Sequence, residues 1–151
     1  MKRVIVLDST PLGLLVLRQG MKAGDECRAW LARHIASGAR AFVPEIIDYE
    51  IRRELIRLRK SNSIAALDAF NVAWPDRFLP LTSKAMKLAA ELWARARQRG
   101  VPTADRHALD VDVILAAQVL SLGLPASDLV IATSNVAHLS QFVPAEHWAS
   151  I

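Results

Sequence analysis

The sequence places a carboxylate at a point where parallel α/β sheets gather reactive groups. Asp8 directly follows residues 4–7, a run of β-branched and apolar side chains that is typical of a buried parallel strand. Ser9 and Thr10 can cap the helix that follows, and Pro11 suits its first turn. In open α/β sheets, ligands and catalytic groups collect at the carboxyl ends of the strands. We therefore expect Asp8 to be the first acid of a site at that edge.

A second acid, Glu50, lies about two turns into a long helix that is predicted to begin at Pro44 and end near Lys60. Because Glu50 borders the apolar stripe of this helix, it can face the interior of the protein. A surface glutamate paired with Arg53 explains its position equally well. The other acids of this helix are expected to be solvated, or to act as cap and dipole partners near its start: Glu45, Asp48 and Glu54.

Two further acids precede an apolar helix near the end of the chain. Asp110 is predicted to cap this helix, which runs to Leu122, and Asp112 follows two positions later. Residues two apart cannot share one helical face, so one is expected to be a cap while the other points inward or to a cleft. A doubly acidic helix start that is stabilised by the helix dipole also explains both residues.

A polar triplet follows the clearest late strand, residues 129–133. Thr133, Ser134 and Asn135 stand where that strand ends, which is the sheet edge predicted for Asp8. A plain Ser-Asn turn is the alternative interpretation of these residues.

The predicted elements that must position these residues alternate between strands and helices. Strands are predicted at 4–7, 41–43, 78–81 and 129–133, with a short tail strand near Phe142, and helices at 11–18, 26–37, 44–60, 63–71, 83–99 and 110–122. This alternation predicts an α/β fold with three α/β/α layers around a mainly parallel central sheet. The chain contains no repeat, linker or low-complexity segment, so we expect residues 1–151 to form a single domain.

Composition narrows the possible classes of protein. Hydrophobic residues make up 52% of the chain and charged residues 23%, which indicates a globular rather than a disordered protein. Cys27 is the only cysteine, so a disulfide framework and a multi-cysteine zinc site are excluded. No signal peptide or apolar stretch of membrane-spanning length is evident, and we expect a cytoplasmic protein with no membrane partner. The net charge of +4 is a mild indication of a polyanionic partner.

Together these residues resemble the PIN domain, the small Mg²⁺-dependent nuclease fold found in VapC-like toxins of bacterial toxin–antitoxin pairs. The resemblance runs from Val4 to about Trp148 and rests on four matches in the family's order. The matching positions are Asp8 after the first strand, Glu50 in the early helix, Asp112 in DVILAA, and the triplet Thr133, Ser134 and Asn135. His138 and Leu139 follow where the family usually has a hydrophobic pair.

The resemblance implies a metal-dependent endoribonuclease that hydrolyses RNA phosphodiester bonds. Its catalytic residues are then Asp8, Glu50, Asp112 and Asn135, and the first three are the ligands of Mg²⁺ or Mn²⁺. Thr133 and Ser134 are expected to position waters or the scissile phosphate. The chain departs from the family at Asn135, where many members have a fourth acid, and Asp110 is a possible substitute ligand.

The resemblance also implies partners. An antitoxin protein and a second copy of the chain are possible partners beside the RNA substrate. Five basic residues within nine positions can steer an RNA backbone, or can form an ordinary solvated helix face: Arg52, Arg53, Arg57, Arg59 and Lys60.

Two other functions remain open from the sequence. Aspartyl-phosphate phosphotransferases also place an Asp after the first strand, but their phosphatase group needs a second Asp at the position of Thr10. Their receiver group has an acidic pair where this chain has Lys2 and Arg3. A catalytically weak or inert PIN-like interaction module is the other alternative, and the neutral Asn135 favours it.

Overall fold

The computed structural model describes residues 3–100 and 106–151. In these ranges the chain forms five strands, named β1 to β5, and seven α-helices, named α1 to α7. The strands are β1 Val4–Leu7, β2 Arg40–Pro44, β3 Phe78–Leu79, β4 Leu129–Thr133 and β5 Ala145–His147. The helices are α1 Ser9–Leu15, α2 Lys22–Ala36, α3 Glu45–Arg57, α4 Ser61–Val72, α5 Ser83–Gln98, α6 Arg106–Leu120 and α7 Val136–Leu139.

All strand pairs in this sheet are parallel, in the order β3-β2-β1-β4-β5. β1 lies at the centre, where Val4 is level with Arg40 of β2 and with Leu129 of β4. Every residue of β1 and β4 is buried, although successive side chains point to opposite faces of a strand. Helices therefore cover both faces of the sheet, and the predicted three-layer α/β/α architecture is confirmed.

Successive strands are added to the sheet first on one side of β1 and then on the other side. The chain builds outward from β1 through β2 to β3, and the later strands β4 and β5 are added on the other side of β1. The backbone N–H of Asp8 donates to the carbonyl of Ala132 at 3.0 Å, which holds the carboxyl ends of β1 and β4 together. In doubly wound sheets this switch in direction opens a crevice for ligands at the carboxyl edge.

Helix α6 begins earlier than its sequence pattern predicts. It includes Arg106, so Asp110 lies within the helix and its predicted role as the cap is wrong. Leu109, Val113 and Ala117 are all buried along one face. Because this apolar stripe already begins at Leu109, packing against the core extends the helix beyond the acid.

Other boundaries differ from the prediction for local reasons. The cap of α1 is Asp8 itself, whose side chain accepts from the N–H of Ser9, rather than Ser9 or Thr10. β3 ends at Leu79, because Pro80 has no N–H to donate to a neighbouring strand. The tail strand begins at Ala145 instead of near Phe142, since the Phe142 N–H is still engaged by the Leu139 carbonyl in a turn.

The buried amide of Gln118 fixes α6 against two neighbouring elements. Its Oε1 accepts from the Ile46 N–H of α3 at 3.2 Å, and its Nε2 donates to the Leu79 carbonyl of β3 at 3.0 Å. Helix α3 follows Pro44 and has no side-chain cap, so Gln118 supplies an acceptor for one of its free N–H groups. Within the described ranges, no helix combines the length and the apolar character that crossing a bilayer requires.

Replacing Gln118 should show how much this amide contributes to stability. Gln118→Leu leaves the Ile46 N–H and the Leu79 carbonyl buried without partners, which should lower the free energy of unfolding by about 2–4 kcal/mol. Urea denaturation monitored by circular dichroism measures the change. Gln98→Leu, at an exposed position on α5, is the matched control and should change the stability by less than about 0.5 kcal/mol. Equal losses in both variants would contradict the bridging role.

Candidate active site

Asp8 is a buried carboxylate whose two oxygens are both held. Only 8% of the residue is exposed. Its Oδ1 accepts from the Ser9 N–H at 2.7 Å, and its Oδ2 accepts from the hydroxyl of Thr133 at 2.6 Å. Burial raises the pKa of Asp8, although these hydrogen bonds act in the opposite direction. The side chain is therefore fixed in orientation at the carboxyl end of β1.

Thr133 joins Asp8 to the loop after β4. Its side chain is fully buried, donates to Asp8, and accepts from the backbone N–H of Asn135 at 2.8 Å. In the structure this hydroxyl is engaged by both of these partners, and the predicted role of Thr133 in positioning waters or the scissile phosphate stays a prediction. Thr133 orients Asp8 and the start of the loop that carries Asn135.

Glu50 lies on α3, half-buried, beside an open recess of about 360 Å³ that is also lined by Ser9, Thr10 and Arg53. Burial raises the pKa of Glu50, and the negative charge of Asp8 raises it further. Ser9 and, more weakly, Arg53 lower it. Asp8 has a larger effect on the pKa of Glu50 than Arg53 has, which favours a role in the site over a surface glutamate paired with its neighbour on the helix.

Asp112 is the third acid of the group. Its side chain is 13% exposed, on the second turn of α6. Burial, followed by the charges of Asp8 and Glu50, raises the pKa of Asp112 to about 7. The charge of Asp8, which follows β1, thus acts on Glu50 of α3 and on Asp112 of α6, and the charge of Glu50 also acts on Asp112. We name Asp8, Glu50 and Asp112 the acidic cluster.

The side chains of the acidic cluster are not arranged to coordinate a metal ion in this structure. Among residues 3–100 and 106–151, no three His, Cys, Asp or Glu side chains are close enough together to hold a metal ion as they stand. The chemistry of the donors nevertheless fits Mg²⁺ or Mn²⁺, which prefer carboxylate oxygens, and a divalent cation would relieve the repulsion among the three acids. The fit therefore requires these side chains to turn toward a shared ion.

The remaining predicted site residues occupy different positions around this edge. Asn135 is exposed at the start of α7, and its backbone N–H donates to Thr133, which in turn donates to Asp8. Ser134 is exposed, and its hydroxyl lies 2.7 Å from the Thr10 hydroxyl, across the gap between β4 and α1. Asp110 is exposed, away from the buried side of α6, so the structure does not bring it into the acidic cluster.

His138 is a neighbour of the site whose position the sequence pattern did not identify. Its Nδ1 lies 3.8 Å from Oδ2 of Asp112, although the family usually has a hydrophobic pair at this position. The spacing gives a signal that could have found it, because His138 is three residues after Asn135 and so shares its side of a helical turn.

Asp48 lies in the first turn of α3, where the helix dipole favours an acid as predicted, but it is not solvated. Only 7% of it is exposed, and its carboxylate binds Arg52 at 2.8 and 3.0 Å and the amide of Asn71 at 2.7 Å. Arg52 also contacts Asp68 at 2.7 Å. This network links α3 to α4. It engages Arg52, which was one of the residues predicted to steer an RNA backbone.

The other basic residues of this predicted run lie in different surroundings. Arg57 pairs with Glu54 on the solvent face of α3, and Arg53 lies over the ring of Tyr49, 5.1 Å from its centroid. Arg59 and Lys60 line a separate open groove that does not include the acidic cluster. Arg53 is thus the member of this run that borders the recess beside Glu50.

Several solved structures share the fold of this chain. A chain of FitAB bound to an IR36 DNA fragment has a TM-score of 0.69 at 18% identity, covering 94% of this chain and 93% of its own length. A chain of FitAcB from Neisseria gonorrhoeae has a TM-score of 0.66 at 18% identity, with 97% and 99% covered. A chain of VapBC2 from Rickettsia felis, bound to a DNA fragment from their promoter, has a TM-score of 0.65 at 13% identity, with 95% and 97% covered.

No family model and no curated protein matches the sequence. The likeness to the FitAB and VapBC chains is therefore one of fold, and it extends over nearly the whole chain. It agrees with the predicted α/β/α fold around a parallel central sheet.

Removing the Thr133 hydroxyl should release Asp8. Thr133→Val keeps the shape of the side chain but leaves Oδ2 of Asp8 without its buried donor, so the free energy of unfolding at pH 7 should fall by about 1–3 kcal/mol. The pKa of Asp8, followed by NMR, should rise further. Thr10→Val is the control, because its hydroxyl is exposed and its loss should cost under about 0.5 kcal/mol. An unchanged Asp8 pKa in Thr133→Val would show that the hydrogen bond does not act on the carboxylate.

Asp112 should make the protein less stable as the pH rises. Because the pKa of Asp112 is about 7 in the folded protein and 3.8 is its ordinary value, the folded state retains a proton that the unfolded chain has lost. Stability should therefore fall between about pH 4 and pH 7. Asp112→Asn cannot ionise, so without divalent ions it should melt at a higher temperature than the wild type at pH 8. The two proteins should converge near pH 4.

The matched control for this measurement is Asp110→Asn, two positions earlier on the exposed side of α6. Its melting temperature should follow that of the wild type at every pH. A difference between Asp112→Asn and the wild type that is independent of pH would rule out the titration of this acid as the cause.

Proposed function

We propose that this protein is a metal-dependent endoribonuclease and the toxin of a two-protein toxin–antitoxin pair. The observation that carries the proposal is the acidic cluster at the carboxyl edge of the sheet. Three acids that are far apart in sequence come together beside the β1–β4 switch, where two of them have pKa values raised by the charge of another. Negative charges that lack a positive partner in this way are typical of a cation-binding site.

Asp8, Glu50 and Asp112 are the residues that would hold Mg²⁺ or Mn²⁺. When bound there, a divalent cation supplies an activated water and stabilises negative charge on a phosphoryl oxygen. The chain contributes orientation through Thr133 and the Ser9 N–H, which hold the two oxygens of Asp8. Because the pKa of Asp112 is raised to about 7, part of the protein carries a proton on this carboxyl near neutral pH, and a divalent cation held beside it would favour the ionised form.

Polar and cationic groups around the acidic cluster suit a phosphodiester substrate. Arg53 and the hydroxyl of Thr10 border the recess beside Glu50, and Ser134 contacts Thr10 at 2.7 Å. These groups can donate to phosphate oxygens, while the net charge of +4 favours approach of a polyanion. RNA, rather than DNA, is proposed because of the resemblance to VapC-like ribonucleases.

The comparisons support a protein partner. The FitAB and VapBC chains of the same fold were solved as two-protein complexes, some of them with DNA. We extend this arrangement to the present chain and propose that an antitoxin protein binds it. A homodimer remains part of the proposal by the same resemblance.

Phosphotransfer through Asp8 is less well supported than metal-dependent hydrolysis. Both oxygens of Asp8 accept hydrogen bonds, and only 8% of the residue is exposed to solvent. A carboxylate that attacks phosphorus needs a free, accessible oxygen. The phosphatase group requires a second Asp two residues after the first, and this chain has Thr10 there, whose hydroxyl lies against Ser134.

Metal binding and RNA cleavage can be tested together. With Mn²⁺, the wild type should melt at a higher temperature and cleave single-stranded RNA, and chelation should remove both effects. Asp8→Asn and Asp112→Asn should lose most of the thermal shift, and their cleavage rates should fall about 100-fold or more. Asp110→Asn is the matched control and should behave as the wild type, because its side chain lies outside the acidic cluster.

The outcomes separate the candidate functions. A Mn²⁺-dependent thermal shift without RNA cleavage would favour the inert interaction module. Cleavage that persists after chelation, or in Asp8→Asn, would overturn the proposed mechanism. Asn135→Asp tests the departure from the family, since an added carboxylate should lower the Mn²⁺ concentration that gives half the maximal rate.

A further inference from the structure

The side chain of Arg77 is a buried guanidinium that lacks a negative partner among the described residues. Arg77 is 4% exposed, its Nη1 donates to the Phe70 carbonyl at 3.1 Å, and its guanidinium lies over the Phe70 ring. Its buried Nε has no hydrogen-bond partner in the part of the chain that the structure describes. Burial lowers the pKa of Arg77, and no neighbouring carboxylate acts to raise it. A buried cation of this kind usually has an anion beside it.

Arg77 helps to line a cavity of about 200 Å³. A second arginine, Arg40, lines the same cavity, and its guanidinium lies over the Phe42 ring, 4.8 Å from its centroid. Apolar and aromatic groups complete the wall, among them Ile35, Trp74 and Pro75. We name this space the Arg77 cavity.

The charge of the Arg77 cavity is positive. Its lining contains two arginines and no acid among the described residues. The nearest carboxylate to Arg40 is that of Asp76, which is 3.9 Å away and whose side chain is 83% exposed. An ion pair of this length at the surface is weak, so it leaves the Arg40 guanidinium available to a ligand.

The cavity is separate from the acidic cluster. Arg40 is level with Val4 at the amino end of β1, and Asp8 follows the carboxyl end of the same strand. Four residues of strand separate the two levels by about 13 Å. None of Asp8, Glu50 and Asp112 lines the Arg77 cavity, so the inference is independent of the proposed function.

We propose that the Arg77 cavity binds a small aromatic carboxylate. The carboxylate supplies the negative charge that Arg77 lacks and accepts from the guanidinium of Arg40, for which a planar carboxylate is the matching partner. The ring packs on Trp74 and Pro75, whose apolar surfaces are otherwise open to solvent. The volume suits a single ring system rather than a nucleotide or a peptide segment.

The alternative is a purely structural Arg77 that fastens the loop between α4 and β3. Its bond to Phe70 and the backbone bond from the Val43 N–H to the Arg77 carbonyl, 2.7 Å long, serve that purpose. This role does not account for the second arginine or for the exposed indole of Trp74 at the same cavity. The two interpretations predict different binding behaviour.

Titration with benzoate tests the proposal, using the full chain in a buffer that contains EDTA. Benzoate should saturably change the tryptophan fluorescence and raise the melting temperature. Benzyl alcohol, which has the ring without the charge, should bind about tenfold or more weakly, the loss expected for a charge-assisted hydrogen bond. Inorganic phosphate, which has the charge without the ring, should also bind more weakly than benzoate.

Variants assign the binding to the Arg77 cavity. Arg40→Gln and Trp74→Ala replace exposed side chains and should each weaken benzoate binding about fivefold or more, as the loss of roughly 1 kcal/mol implies. Arg95→Gln, an exposed position on α5 outside the cavity, should bind benzoate as the wild type does. Arg77→Met should abolish binding if it folds, and the two exposed variants decide the question if it does not.

Three results would overturn the proposal. One is the absence of any saturable signal with benzoate, and another is equal binding of benzoate and benzyl alcohol. The third is unchanged affinity in both Arg40→Gln and Trp74→Ala, which would place the bound benzoate elsewhere on the protein.

Discussion

The pairing of β1 with β4 is the contact on which the candidate active site depends. The two strands run in parallel, and the Asp8 N–H extends their ladder by bonding to the Ala132 carbonyl. This brings the Thr133 hydroxyl to Oδ2 of Asp8. Because both side chains are buried, neither has water as an alternative partner. A shift of the register by one residue would turn Thr133 to the other face of the sheet and leave Asp8 without its donor.

The acidic cluster shows a conflict between stability and function. Burial favours the neutral form of Asp112, while Asp8 and Glu50 add repulsion whenever they are ionised. The fold tolerates this cost because the surrounding strands and helices are well packed, and every residue of β1 and β4 is buried. Sites of this kind are less stable than they would be with neutral residues, and a bound cation reverses the deficit.

The strands and the sheet edge could be predicted from sequence because they depend on local patterns. The runs at 4–7 and 129–133 are apolar and β-branched, so both strands and the polar residues after them were placed correctly. Side-chain partners were harder to predict because they depend on tertiary contacts. The sequence around Asp48 is typical of a surface acid, yet its carboxylate is buried and accepts hydrogen bonds from Arg52 and Asn71.

The acids of α6 show the same limit. Asp110 and Asp112 are the same type of residue in the same segment, so the sequence alone does not tell them apart. The acid-rich start of that segment made Asp110 a reasonable helix cap. The buried stripe that includes Leu109 and Val113 decides between them, since it extends the helix past Asp110 and leaves Asp112 near the core side. The approach of His138 to Asp112 is likewise set by the packing of α7 on α6.

The chain order of the site has a consequence for biosynthesis. A ribosome delivers Asp8, Glu50 and Asp112 before any part of β4, whereas Thr133 is 125 positions after Asp8. A nascent chain that has not reached β4 contains the three acids but neither the central strand pair nor the donor that orients Asp8. The acidic cluster is therefore assembled late in translation, and an interrupted chain that stops before residue 129 lacks an ordered site.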